Sequence, residues 1–145
     1  MLTVIVDVGQ ASERLPVLLA QLASAAVDGL VREVLIAGGG PAELLGVLRE
    51  ETGAELADDL GEAIGRAKAE RLLVVPAALK LRSGWLEALG RHLRSGGGDA
   101  LLVGEGGPFS RSCGVLVGRA AVARLAHPDL KRVRRQLASD RVRLA

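Results

Sequence analysis

The sequence predicts an α/β fold: a three-layer αβα sandwich built on a mostly parallel sheet. Three observations lead there. Apolar runs of strand length, several of them β-branched, alternate with stretches that place leucine and alanine at helical spacing. The strand–helix–strand units recur at a length suited to crossover connections. One run, RLLVVPA at 71–77, is apolar almost throughout, as expected of a strand buried on both faces of a sheet.

The elements follow in order. Residues 2–8 (LTVIVDV) form a first strand, and 12–26 a helix with Leu15, Leu18, Leu19 and Leu22 on one face and Ser12 as its cap. A second strand covers 31–37, and a helix over 41–51 has Pro41 in its first turn. A short strand at 54–57 and a helix at 60–69 precede the strand 71–77. The next helix, 83–94, is capped by Ser83 and stopped by Gly96, Gly97 and Gly98. Two further strands, 100–103 and 114–117, flank the loop GEGGPFSRS, and helices at 120–126 and 130–139 close the chain. No internal repeat or linker interrupts the pattern, so residues 1–145 read as one domain.

Composition narrows the function. Apolar residues make up 49% and charged residues 25%, which suits a water-exposed globular fold with a Leu, Val, Ile and Ala core. Trp85 and Phe109 are the only aromatics, which argues against nucleic-acid binding by base stacking. Net charge is +2, but from His127 onward six basic residues face two acidic ones, a solvated face or a surface for an anionic partner. Cys113 is the single cysteine and enters an apolar run, so it reads as a small buried residue. His92 and His127 are far apart, leaving no metal cluster of familiar spacing. No run of 18 apolar residues occurs and the first residues lack the pattern of a signal peptide, so a cytoplasmic protein without a membrane span is expected. A homodimer burying a sheet edge is a further expectation.

The stretch EVLIAGGGPAELLG resembles a dinucleotide-binding loop, with a strand, three glycines and a helix. The G-x-G-x-x-G pattern needs a third glycine for close packing of helix on strand. Glu43 holds that place, where its carboxylate competes with a pyrophosphate for the positive helix end. Asp58 and Asp59 supply an acidic residue at about the right distance, but a chain this charged offers such matches by chance. The loop also follows the second strand rather than the first.

Read as a whole, the chain resembles the family 2 glycosyltransferases, inverting enzymes of the GT-A fold, and especially their compact bacterial members. Four stretches carry the resemblance: LTVIVDVGQASERLPVLLAQL; GLVREVLIAGGGPAE; GEAIGRAKAERLLVVPAALKLRSGWLEALGRHL; and the pair CGVLVGRAAVARL and PDLKRVRRQLASDRVRLA. They look like the family's opening strand and helix, its second strand and loop, its central strand with metal loop and Gly-Trp-Leu helix, and its catalytic-aspartate segment. The resemblance implies a GT-A, Rossmann-like nucleotide-diphospho-sugar transferase topology, with Trp85 packing in the core.

The resemblance also implies site residues. Gly38 stands where the family places a nucleotide-reading carboxylate. Pro76, Ala77 and Ala78 stand where an acidic motif holds a divalent cation, and hard cations need oxygen ligands. No metal and no cofactor is therefore expected, and Lys80 and Arg82 are the cations that could meet a donor diphosphate instead. Asp129 aligns with the family's catalytic base, although an aspartate before a helix is equally an N-cap. Asp7 lies in the first-strand loop beside Glu13, and Gly38, Gly39 and Gly40 could meet a phosphate through backbone N–H groups. The expectation is a degenerate glycosyltransferase-like domain without metal-dependent transfer, a binding or regulatory module for a nucleotide-sugar or a protein partner. An active metal-independent transferase and a nucleotide-binding enzyme using the glycine loop are the alternatives.

Overall fold

The computed structural model describes residues 1–9, 12–39, 41–105, 113–125, 128–135 and 142–144. Its strands are β1 (Leu2–Asp7), β2 (Val31–Ala37), β3 (Glu55–Ala57), β4 (Arg71–Pro76), β5 (Ala100–Val103), β6 (Cys113–Gly118) and β7 (Val142–Leu144). Its helices are α1 (Leu15–Val27), α2 (Ala42–Thr52), α3 (Leu60–Arg66), α4 (Trp85–Arg94), α5 (Arg119–Val122) and α6 (Leu130–Arg135). The seven strands form one sheet in the order β3-β2-β1-β4-β6-β5-β7. β1 pairs in parallel with β2 and β4, and β2 with β3. β6 is antiparallel to both its neighbours, and β5 pairs in parallel with β7. The sheet is mixed and mostly parallel, as expected.

The pleat divides the core in two. Val4, Val6, Leu73 and Val75 belong to one buried cluster with Leu15, Leu18, Leu22, Trp85 and Leu89 from α1 and α4. Ile5, Leu72, Val74, Val115 and Val117 belong to the other, with Ala63 and Ile64 of α3, Val122 of α5 and Val133 of α6. Alternate residues of one strand thus serve opposite faces. Each fully buried Leu, Ile or Val contributes roughly 1.5–3 kcal/mol. Trp85 and Cys113 are buried, as the sequence suggested.

Several boundaries differ from expectation for local reasons. Ser12 opens a short 3₁₀ turn, Ser12–Arg14, and α1 begins after it at Leu15. Gly84 rather than Ser83 occupies the cap position of α4, with φ of 84° and no side-chain cap. α3 ends at Arg66, where Ala67 turns extended, and α5 is a single turn. β7 lies in the arginine-rich tail, where the sequence had suggested only helix and its end. Residues 136–139 of the expected last helix, Gly40, Phe109 and most of the loop 104–112 lie outside the described residues. Among the described residues, no helix is long and apolar enough to cross a membrane.

Candidate functional site

In an open α/β sheet, ligands bind beyond the carboxyl ends of the strands where the chain reverses its direction of winding. That point is defined here. The chain runs outward from β1 through β2 to β3, then returns across the sheet to β4 on the other side of β1. The crevice therefore lies at the ends of β1 and β4, between Asp7 and Pro76, which are register partners. The order beyond β4 departs from the dinucleotide-binding sheet, in which a parallel fifth strand follows the fourth; the antiparallel β6 stands in that place.

Backbone hydrogen bonds lock the loops of this edge side by side. The Val8 N–H donates to Ala37 O (3.0 Å), the Gly38 N–H to Ala57 O (3.1 Å), and the Ala77 N–H to Asp7 O (3.0 Å). The Gly38 amide is thus already engaged. Gly38 also has φ of 104°, a conformation that L side chains rarely adopt, and a Cβ there would sit 3.7 Å from Val8 Cβ. Any residue with a side chain, a carboxylate included, would strain the backbone at this position. Gly39 is exposed, with open space where a Cβ would stand.

Asp7 is half-buried at the end of β1. Burial pushes its carboxyl above the ordinary carboxylate range, the charge of Asp129 pushes it further, and a hydrogen bond from the Gly9 N–H opposes both. The fold therefore places Asp129, from the far end of the chain, within electrostatic reach of Asp7. Asp129 is also the cap of α6: its Oδ1 accepts from the Arg132 N–H at 2.8 Å. Asp59, one acidic candidate of the dinucleotide reading, likewise caps α3 by accepting from the Glu62 N–H at 2.8 Å. Glu43 is exposed in the first turn of α2.

Beyond Ala78 the chain packs on the α1 face of the sheet. Leu79 and Leu81 are buried in the core, so Lys80 between them faces outward, and Arg82 is exposed just after. Lys80 lines a cleft of about 200 Å³ with Arg14, Val17, Leu18 and Gln21 of the α1 side and with Glu105. Arg82 does not line it. The Glu105 N–H donates to Lys80 O at 2.8 Å and ties the end of β5 to this segment. Arg14, Gln21 and Glu105 were not singled out from the sequence. The only signal was spacing: 14, 17, 18 and 21 fall on one helical stripe beside the buried leucines.

Among the described residues, no group of three or more His, Cys, Asp or Glu is placed to hold a metal ion. The chain matches no family model, and no curated protein is similar to it.

Proposed function

We propose that this chain is a family 2 glycosyltransferase-like domain of GT-A topology, a three-layer αβα sandwich that has lost metal-dependent transfer and acts as a binding or regulatory module. One observation carries the reading. At the winding-reversal edge, the positions that a metal-dependent transferase fills with carboxylates hold Gly38 at φ of 104° and Pro76-Ala77-Ala78. A divalent cation requires several oxygen ligands there to offset the charge developing on a leaving diphosphate. Asp7, half-buried beside them, is a single carboxylate, and one carboxylate does not supply the several oxygen ligands a divalent cation needs.

The test is a thermal-shift screen of the whole chain with UDP-, GDP- and dTDP-sugars, with and without Mn²⁺. A ligand at 100 times its Kd raises stability by about 2.7 kcal/mol. The reading expects any stabilisation to be indifferent to Mn²⁺ and no sugar transfer or donor hydrolysis; Mn²⁺-dependent stabilisation overturns it.

A second reading, an active metal-independent transferase, draws on the electrostatic reach between Asp7 and Asp129. In it Asp129 takes the acceptor proton while Lys80 and Arg82 hold the donor diphosphate. It requires donor turnover that Asp129→Asn abolishes while the fold is retained.

A further inference from the structure

The cleft between α1 and the segment 79–81 has the makings of a built site. Its two walls are fixed independently. Leu15 and Leu18 anchor α1 in the core on one side, and Leu79 and Leu81 anchor the segment 79–81 on the other. Between these walls stand two cations, Arg14 and Lys80, and one anion, Glu105. Neither the Arg14 nor the Lys80 side chain has a hydrogen-bond or ion-pair partner among the described residues. Gln21 adds a polar group of a different kind: its Oε1 is buried without a hydrogen-bond partner. A buried acceptor left without a donor is unfavourable, and a bound hydroxyl that reaches it from the cleft relieves it.

The lining selects a ligand chemistry. Two cations on opposite walls, neither paired with a described residue, favour an anion that spans them, and a guanidinium with an ammonium suits phosphoryl oxygens. Glu105 and Gln21 are acceptors that suit neighbouring hydroxyls. The volume is below the usual range for a whole drug-sized ligand, so the cleft takes one compact unit of a molecule. We infer that this cleft binds a phosphorylated polyol: the phosphoryl group lies between Arg14 and Lys80, and the hydroxyls face Gln21 and Glu105. A sugar phosphate and the ribose-diphosphate part of a nucleotide share this chemistry. The cleft begins directly after Pro76-Ala77-Ala78, so the inference deepens the nucleotide-sugar reading and rests on it for the nucleotide source only.

Isothermal titration of the whole chain with pyrophosphate, glucose 1-phosphate and UDP tests it. Glucose 1-phosphate or UDP binds, and pyrophosphate binds more weakly than the better of them. Arg14→Gln and Lys80→Gln each weaken that binding about tenfold or more, as loss of a charge-assisted hydrogen bond does. Arg91→Gln, on an exposed position of α4, leaves it unchanged. Should either cleft variant fail to fold, mass-spectrometric acetylation of the unmodified chain replaces it: saturating ligand protects Lys80. The inference is overturned if no probe binds in the millimolar range, if neither cleft variant weakens binding, or if ligand leaves Lys80 fully reactive. Loss on Arg82→Gln alone also overturns it while leaving the broader reading intact, whereas binding that needs Mn²⁺ overturns that reading and not the cleft.

Discussion

The two ends of the sheet are held together in different ways. At the amino end, side chains close the structure. The buried Thr3 hydroxyl donates to Glu33 Oε2 at 2.7 Å and accepts from the Ala69 N–H at 3.2 Å, while the same Glu33 oxygen accepts from the Lys68 N–H at 2.6 Å. Arg71 donates to the carbonyls of Gly97 and Gly98 at 2.6 and 2.8 Å, and Arg119 donates to Ala67 O. The His92 ring lies so close over Gly97 that a Cβ there would sit 2.3 Å from Cε1. At the carboxyl end the loops are joined by backbone bonds, and the charged side chains Asp7, Arg14, Lys80 and Arg82 form no ion pair among the described residues. At the amino end these polar side chains are engaged in the fold; at the carboxyl end Arg14, Lys80 and Arg82 are not, among the described residues, and Arg14 and Lys80 are the groups the proposed site would use. This division is what a fold that positions a site on a rigid scaffold requires.

Substitutions separate the two ends, with the largest effects at the amino end. Thr3→Val keeps the shape and strands the buried Ala69 N–H, so urea unfolding should show a loss of roughly 1–3 kcal/mol. Arg71→Met removes two charge-assisted bonds at a partly buried site and should lower stability by about 1–2 kcal/mol by the same measurement. At the carboxyl end the sign reverses. The folded chain holds the Asp7 carboxyl above its ordinary value, so between the two values it binds a proton that the unfolded chain has released. Stability from this group therefore rises as pH falls from neutral through the raised value, and levels off in the ordinary carboxylate range. Asp7→Asn should stabilise the chain at neutral pH and remove that slope from a series of melts across acidic pH. Lys80→Gln, at an exposed position whose side chain has no partner among the described residues, should change stability by no more than about 0.5 kcal/mol.

How far the sequence discloses this depends on the kind of signal. The β-branched runs of β1, β2 and β4 are legible because a strand in the middle of a sheet must be apolar on both faces. β7 is not, since Val142-Arg143-Leu144 is too short and too basic to stand out from its surroundings. The start of α4 is misread because a serine is the better cap in isolation, whereas the chain enters the helix through a left-handed Gly84. At the site, Asp129 as a cap and Lys80 as an outward cation follow from neighbouring residues. The electrostatic reach between Asp7 and Asp129 depends on the path of the whole chain, and so does the cleft that joins Arg14 and Gln21 to Lys80 and Glu105. The left-handed backbone of Gly38 is a matter of φ, which letters alone do not carry.

The central claim is that stability and binding reside at opposite ends of the sheet. Thermal melts of Thr3→Val and Lys80→Gln, run side by side with and without saturating UDP, test it most directly. Thr3→Val is expected to lower the midpoint by several degrees and keep the UDP-induced shift, whereas Lys80→Gln keeps the midpoint and loses the shift. If Lys80→Gln lowers the midpoint as Thr3→Val does, or Thr3→Val abolishes the UDP-induced shift while Lys80→Gln retains it, the division between the two ends is wrong.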